Sequence, residues 1–349
     1  MLEKKRQAQK SAPTGDDVAR RAGVSRTAVS YVLNGVSDKH VSEETRSKVL
    51  QAVEELGYHA HSTARALSKG HSEEICLIAD FPLTPFPTET IVSAAQQSAL
   101  QYGYSIVVYF CYGLTSEQRR VLLQKIFARR PIGILSGGPA FTAEDAALAH
   151  QMGVEHIVLM SLSSLPVTNE HEITLPIIEV GHLAAQHLLE RGHRRLALVQ
   201  PDDPVQHSPF LQRLEGMHSA MDEVADTTLD ILPLHLSVAS ANAVVDSYMT
   251  RSRAERPTGI YAFSDEYAVL LLREFSRRGI RVPQDVALVG TDDLPLGEFV
   301  WPSLTTIRFD SLSLGQRAVE MLVALHKGKP LPEEFSRPAM PELIQRESS

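Results

Sequence analysis

A short stretch near the N-terminus, residues 14–34, gathers side chains suited to contacting nucleic acid. Arg26 and Thr27 begin an apolar-periodic segment, and Tyr31 follows one helical turn after Thr27. Arg, Thr and Tyr side chains can bond the edges of bases, whereas Ser, Thr and Asn commonly bond phosphate oxygens. Residues of the second kind are Thr14, Ser25, Ser30 and Asn34. We expect base contacts from the first set and phosphate contacts from the second.

Two short helices joined by a tight turn would position these side chains. The sequence predicts helices over residues 16–22 and 25–33, with Gly23 at the end of the first and Ser25 as N-cap of the second. Each helix has one apolar face. The two faces comprise Val18, Ala19, Ala22, Val29, Val32 and Leu33. This pattern is typical of a helix-turn-helix, whose second helix begins in the DNA major groove.

A third helix follows in the same segment. Ser42 is suited to cap it, acidic residues at 43 and 44 favour its first turn, and Gly57 would end it. The predicted buried stripe consists of Val49, Leu50, Val53 and Leu56. Three helices with one shared core therefore account for residues 14–58.

The rest of the chain alternates between apolar runs of strand length and helical stretches. The first series of strands is predicted at 75–79, 106–110, 132–135 and 157–160, and the second at 196–199, 229–234, 260–263 and 286–289. Intervening helices are predicted at 88–102, 116–129, 143–152, 210–222, 239–251 and 265–278, with a late helix at 312–326. Continuous apolar strands separated by helices indicate parallel sheets. Two series predict an α/β body of two Rossmann-like lobes.

Charge is distributed unevenly along the 349 residues. Residues 1–70 contain twelve Lys or Arg and eight Asp or Glu, a net charge of +4. The remainder contains 22 and 34, a net charge of −12. A basic head on an acidic body confines attraction for phosphate to the head. No apolar run could span a membrane or act as a signal segment, so we expect a cytoplasmic protein, with Cys76 and Cys111 in the core.

The motifs resemble those of the lactose-repressor (LacI/GalR) family of bacterial transcription regulators. Matches in residues 14–70 include Asp17-Val18-Ala19, Ala22-Gly23-Val24-Ser25, Val32-Leu33-Asn34-Gly35 and Leu56-Gly57-Tyr58. Weaker matches further on include Arg213-x-x-Gly216-Met217 and Val289-Gly290-Thr291-Asp292-Asp293. The resemblance extends over nearly the whole chain.

The resemblance implies a repressor that binds a pseudo-palindromic DNA operator as a homodimer. It implies a flexible basic arm at 1–13, a helix-turn-helix domain at 14–58 and a hinge at 59–72. Residues 73–349 would form an effector-binding and dimerisation domain. The two lobes would be of the periplasmic-binding-protein type, with a small-molecule effector, a sugar or related metabolite, in the cleft between them.

Site residues also follow from matching positions. Ala64 and Leu67 match a hinge that enters the DNA minor groove, with Leu67 wedged between base steps. Arg213 and Asp292 match positions that contact the effector, and Ser264, which stands where Asn is frequent, is still able to bond a hydroxyl. Tyr31 departs from the family, which commonly has Arg there, so operator preference should differ at one base pair.

Other features leave alternatives open. Adjacent carboxylates such as Asp292 and Asp293 tend to diverge, and no catalytic group, metal site or cofactor motif is recognisable. Asp265 would cap the helix that follows it. Aromatic residues would line the cleft or belong to the core: Phe81, Phe86, Phe210 and Trp301. Two rival functions remain: a DNA-binding protein with a degenerate cleft controlled by a protein co-regulator, and an αβ enzyme.

Overall fold

A computed structural model describes residues 13–33, 41–58, 70–79, 88–137, 141–161, 170–331, 335 and 339–349. The chain divides into two compact units, Met1–Glu73 and Glu74–Ser349, here called the head and the body. Most of the predicted arm and hinge, including Ala64 and Leu67, lies outside the described residues, as does Asn34.

The described part of the head contains the predicted helices α1 (Gly15–Ala22), α2 (Arg26–Leu33) and α3 (Glu43–Leu56). Their core contains the fully buried Val18, Val29 and Val49. The prediction for Leu50 is wrong, because its side chain is 51% exposed and Ala52 is buried instead. Leu50 lies about 100° around the helix from Val49. Ala52 and Val53 follow Val49 by three and four residues and therefore lie on the same face as Val49.

Lobe 1 of the body contains a five-stranded parallel sheet in the order β2-β1-β3-β4-β5. Its strands are β1 (Glu74–Ala79), β2 (Ser105–Phe110), β3 (Gly133–Gly137), β4 (Ile157–Ser161) and β5 (His171–Thr174). Its helices are α4 (Thr88–Gln101), α5 (Ser116–Phe127) and α6 (Ala143–Gln151). Cys76 in β1 and Cys111 after β2 are buried, as predicted, and burial raises the pKa of Cys76 to about 12.

Lobe 2 has a six-stranded sheet in the order β11-β10-β9-β8-β6-β7, parallel except at β11. Its strands are β6 (Arg195–Pro201), β7 (Thr228–Leu234), β8 (Gly259–Tyr261), β9 (Ala287–Thr291), β10 (Thr305–Arg308) and β11 (Glu342–Ile344). Its helices are α7 (Ile177–Glu190), α8 (His207–Met221), α9 (Val238–Thr250), α10 (Asp265–Arg277) and α11 (Leu296–Phe299).

Helices α7 and α8 pack with their backbones in close contact. A Cβ at Gly181 of α7 would overlap the carbonyl oxygen of Arg213 in α8, and one at Gly216 would overlap that of Ile178. Only hydrogen fits at either position. These two glycines therefore set the separation of the helices.

The chain passes between the lobes three times. It leaves lobe 1 after β5, returns after β10 as helix α12 (Ser311–His326), and reaches lobe 2 again at β11. The late helix was predicted at 312–326, and as α12 it contributes Leu314, Ala318 and Leu322 to the core of lobe 1. These repeated passages tie the lobes into one body.

Candidate functional site

Helix caps in the head fix the conformation of the chain before and at the start of α2. Thr14 and Asp17 form a capping box at α1, in which the Thr14 amide donates to Asp17 Oδ2 at 2.9 Å and the Asp17 amide donates to Thr14 Oγ1 at 3.3 Å. Bonds from Thr14 lower the pKa of Asp17. Gly23 ends α1 with φ of 68°, and Ser25 Oγ accepts from the Ala28 amide at 3.1 Å, as expected of its N-cap.

The three predicted base-contact residues, Arg26, Thr27 and Tyr31, all lie on the exposed surface of α2. The side chain of Arg26 is 55% exposed, and Tyr31 is 37% exposed. Ser25 and Ser30 are exposed at the start and middle of the same segment, and Thr14 is exposed at the start of α1. The fold therefore leaves the described members of both sets accessible to a large polyanion.

In lobe 2, a candidate ligand site is built at the carboxyl ends of β8 and β9, the usual position for ligands in open α/β sheets. Phe263 and Ser264 follow β8, and Asp292 follows β9. Arg213 reaches the same place from α8, where its Nη1 donates to the Phe263 carbonyl and its Cζ lies 4.0 Å from the centroid of the Phe263 ring. The three predicted effector residues, Arg213, Ser264 and Asp292, therefore lie on elements that converge.

Two buried polar atoms of this site have no partner among the described residues. Arg213 is 5% exposed and Ser264 is 7% exposed, yet Arg213 Nε and Ser264 Oγ lack hydrogen bonds there. Leaving a buried polar group unsatisfied costs roughly 1–3 kcal/mol. Such atoms are normally satisfied by water or by a ligand.

Asp292 has the electrostatics of a buried acid. Burial raises its pKa to about 7, although the guanidinium of Arg213 acts to lower it, and Glu266 raises it further. Its backbone has φ of 104°, a strained value for a residue with a side chain. A carboxyl with this pKa exists in both protonation states near neutral pH, so it can accept hydrogen bonds from a ligand or donate one.

The neighbouring acids have structural roles. Asp293 turns away from Asp292 and pairs with Arg346 at 2.7 Å and Arg308 at 3.2 Å, so the two carboxyls diverge as predicted. The expectation that Asp265 caps α10 is wrong. Its fully buried carboxyl accepts from Thr306 Oγ1 at 2.6 Å and from the Leu294 amide at 2.7 Å.

Asp265 thus joins α10 to β10 and to the loop after β9. Burial raises the pKa of Asp265 to about 7, and the two hydrogen bonds oppose that rise. A Cβ at Gly290 would overlap Asp265 Oδ1, so glycine leaves room for the carboxyl. The glycine in the Val289-Gly290-Thr291 motif was the available sequence signal for this contact.

A side-chain hydrogen bond between described residues joins the two lobes. Tyr112 Oη, just after β2 in lobe 1, donates to Asp203 Oδ2, just after β6 in lobe 2, at 2.8 Å. This bond raises the pKa of Tyr112. Asp203 is held in place because its Oδ1 also accepts from the Val205 amide at 2.9 Å. Sequence reasoning did not predict this link, which bridges two carboxyl-end loops.

Only two of the four predicted cleft aromatics, Phe210 and Trp301, lie within the described residues. Phe210 belongs to the core of lobe 2, whereas Trp301 is 83% exposed and belongs to no core. Phe81 and Phe86 lie outside the described residues. Within the described ranges, no three His, Cys, Asp or Glu residues are grouped to hold a metal ion. No described helix combines the length and apolar character needed to cross a bilayer.

A capped helix-turn-helix head and a two-lobed α/β body with polar groups at its strand ends define a DNA-binding regulator of the repressor class. Residues 14–61 match the family described as bacterial regulatory proteins, lacI family. Residues 185–349 match the periplasmic binding protein-like domain.

Whole-chain relatives agree with these matches. The HTH-type transcriptional repressor PurR of Escherichia coli O139:H28 is 29% identical over 332 residues, which cover 95% of each chain. The crystal structure of the Lac repressor dimer bound to operator and the anti-inducer ONPF has a TM-score of 0.77 and 26% identity, covering 97% of this chain and 99% of that one. The transcriptional regulator CelR–cellobiose complex has a TM-score of 0.66 and 25% identity, covering 97% and 100%.

This chain belongs to the lacI family of bacterial regulatory proteins. It is a DNA-binding transcriptional repressor with a periplasmic-binding-protein-like body.

Proposed function

We propose that a small polar effector binds between the lobes and controls the affinity of a homodimer for a pseudo-palindromic operator. The observation that carries this proposal is the pair of buried, unpartnered atoms, Arg213 Nε and Ser264 Oγ, at the strand ends that also carry Asp292, on which the charge of Arg213 acts. The hydroxyl groups of a ligand can accept a hydrogen bond from Arg213 Nε and can donate to or accept from Ser264 Oγ. They can also donate to the carboxylate of Asp292. The CelR relative is described with cellobiose, which supports a sugar or related metabolite.

The test is calorimetry of the full chain with a panel of sugars and other metabolites, followed by operator binding with and without any ligand found. We expect one compound to bind and to shift operator affinity. Coupling energies of this kind are typically about 1–3 kcal/mol. If no compound binds the body while operator binding is normal, a protein co-regulator becomes the better account of control.

In the head, we propose that Arg26, Thr27 and Tyr31 contact bases. Arg26 and Thr27 begin α2, and Tyr31 is exposed one turn further on; this supports the proposal, since the beginning of a recognition helix enters the major groove. Contacts to phosphate are proposed for Thr14, Ser25, Ser30 and Asn34. Selection from a randomised DNA library would test both sets, because loss of a base contact alters preference at one position and loss of a phosphate contact weakens all sequences alike.

In the hinge, we propose that Ala64 and Leu67 enter the minor groove. Replacing Leu67 by Ala should weaken operator binding and reduce DNA bending, because the wedge that unstacks a base step is removed. Effector affinity of the DNA-free protein should be unchanged. Equal bending by parent and variant would exclude this role for Leu67.

We propose that the protein binds DNA as a homodimer, because two heads together distinguish the operator from other DNA sites better than one head does. Exposed apolar surface on the body supports it: strand β2 is an edge strand whose residues all keep some exposure, and Phe299 and Trp301 are largely exposed. Light scattering of the full chain at micromolar concentration should give twice 38.5 kDa. A monomeric mass together with footprints lacking two-fold symmetry would contradict the proposal.

A further inference from the structure

Arg26 belongs to α2, but its side chain lies on the first turn of α1. Its Nε is 3.5 Å from Asp16 Oδ1. Its guanidinium fills the space above Gly15, so that a Cβ built on Gly15 would overlap Nη1 and Cζ of Arg26. Gly15 is buried although it begins the first helix of a small domain. The guanidinium is therefore placed against the first turn of α1.

The conformation of the backbone does not require a glycine at position 15. Gly15 is the first helical residue of α1, and glycine is among the poorest helix formers. The neighbouring capping box already fixes this turn through Thr14 and Asp17. The space that Gly15 leaves is occupied by one group, the guanidinium of Arg26.

Charge favours the same arrangement. A cation at the N-terminus of a helix is opposed by the helix dipole, so Arg26 needs a nearby anion there. Asp17 is engaged by Thr14 and by Arg20, whose Nη1 lies 3.2 Å from Asp17 Oδ1. Asp16 is the carboxylate that pairs with Arg26. The pair approaches through Nε, while Nη1 is the guanidinium atom closest to Gly15.

We infer that Gly15 and Asp16 are positioning residues that direct Arg26 toward one base edge and so help to select the operator sequence. The inference rests on the proposed base contact of Arg26. An arginine at the start of a recognition helix can bond a phosphate or the O6 and N7 of a guanine, and its direction decides between them. Asp16 repels phosphates, and Gly15 lets the guanidinium lie close to α1. Together they favour a base over the backbone.

The test is selection of bound sequences from a randomised operator library by the full chain. The variants are Arg26→Ala, Gly15→Ala, Asp16→Asn, and each of the last two combined with Arg26→Ala. Arg26→Ala should reduce discrimination at one base pair of each half-site by roughly 5- to 150-fold, the range for a bidentate contact. Gly15→Ala, which displaces the guanidinium without changing charge, should reduce discrimination at that same pair by about threefold or more.

Asp16→Asn should raise affinity for all sequences and reduce discrimination at the same pair by about two- to fivefold, the range for an exposed ion pair. In the Arg26→Ala background, neither Gly15→Ala nor Asp16→Asn should alter base preference. Glu44→Gln is the matched control. It also removes an exposed acid from the first turn of a helix, one that pairs with Lys48 at 2.7 Å, and it should leave base preference unchanged.

Thermal melting of each variant accompanies the selection, and Gly15→Ala should melt no lower than the parent because alanine favours the helix. If Arg26→Ala changes base preference and neither Gly15→Ala nor Asp16→Asn does, the positioning role is overturned while the base contact stands. If their effects persist without Arg26, the positioning role is also overturned. If Arg26→Ala leaves preference unchanged, the base contact itself fails, and the inference fails with it.

Discussion

The head and the ligand site of the body hold their polar residues in opposite environments. Arg26 and Tyr31 lie on the exposed surface of α2. Other residues, the buried valines and the helix caps, stabilise the fold of the head. Arg213 and Ser264 are buried with unpartnered polar atoms, and the charge of Arg213 acts on Asp292, a carboxyl whose pKa is raised. We therefore expect base preference to change with little effect on folding, whereas a change at the candidate ligand site should alter the proposed ligand binding and the stability together.

The largest expected effect is that of Arg213→Ala. It should weaken effector binding by about 2–5 kcal/mol, because it leaves the other groups of the site without their buried charged partner. It should also lower the melting temperature, since the Phe263 carbonyl loses its donor. Calorimetry and thermal melting measure both.

Arg281→Ala is the matched control for Arg213→Ala. Arg281 pairs with Asp285 before the amino end of β9, at the opposite end of that strand from Asp292. It should retain effector affinity. An Arg213→Ala variant that binds effector and melts like the parent would remove the proposed difference between the head and the ligand site.

The second effect concerns Asp292 and pH. Its folded pKa of about 7 lies above its ordinary value of 3.8, so between these values the folded state holds a proton that the unfolded state has lost. Stability from this group is therefore present at acid pH and is lost as pH rises toward 7. Relative to the parent, Asp292→Asn should be more stable at pH 8 than at pH 5 by about 2 kcal/mol, less than the full shift implies because Asp292 keeps some solvent contact.

Urea unfolding of parent and Asp292→Asn at pH 5 and pH 8 measures this difference. Asp285 supplies the control, because its hydrogen bonds with Arg281 lower its pKa to about 2 and it remains ionised at both pH values. Asp285→Asn should change stability by the same amount at pH 5 and pH 8. A pH-independent effect of Asp292→Asn would contradict the raised pKa.

The third effect belongs to the head. Tyr31→Arg should shift preference toward guanine at one position of each half-site by roughly 1–3 kcal/mol, because Arg can bond guanine bidentately. The melting temperature should hardly change, since residue 31 is exposed. Library selection with parent, Tyr31→Arg and Tyr31→Phe measures it, the last variant separating the hydroxyl from the ring. Identical preferences in all three would show that residue 31 does not read a base.

The smallest effect is expected at the link between the lobes. Tyr112→Phe removes the hydrogen bond to Asp203 but keeps the ring, and one such bond contributes about 0.5–1.5 kcal/mol. The arrangement of lobes seen here should become several-fold less populated. Spin labels at Arg120→Cys in lobe 1 and Glu215→Cys in lobe 2 would report the change by pulsed-EPR distances, because both native cysteines are buried.

Tyr109→Phe is the control for this measurement, since Tyr109 lies in β2 and packs against the core of lobe 1. Its distance distribution should match that of the parent. If Tyr112→Phe also leaves the distribution unchanged, the Tyr112–Asp203 bond does not influence closure.

Local patterns in the sequence predicted the helices and strands whose signals lie within a few residues. Ser42 and Gly57 do cap α3, and all eight apolar runs that were predicted as strands contain a strand. Helix α7 was not predicted, because it is apolar on most sides and begins after Pro176 without a side-chain cap. Its buried positions 177, 180, 181, 184, 185 and 188 nevertheless follow a helical period, so the sequence did contain a signal for this helix.

Contacts between distant residues could not be predicted in this way. Asp265 meets Thr306, which lies 41 residues away, and Asp293 meets Arg346, which lies 53 residues away. Only the folded sheet brings these positions together. Family resemblance indicated Arg213 and Asp292 as site residues, but the unpartnered state of Arg213 Nε and the Tyr112–Asp203 link required the three-dimensional structure.

The close packing of α7 on α8 has a consequence for genetics. Gly181 contacts the backbone of Arg213, so even an added methyl group must push α8 away, and no flexible side chain can yield instead. Bacteria carrying Gly181→Ala or Gly216→Ala should keep a working DNA-binding head but lose the proposed response to an effector. A selection for such unresponsive mutants should therefore recover substitutions of Gly181 and Gly216, where the two helices cross, as well as substitutions of Arg213.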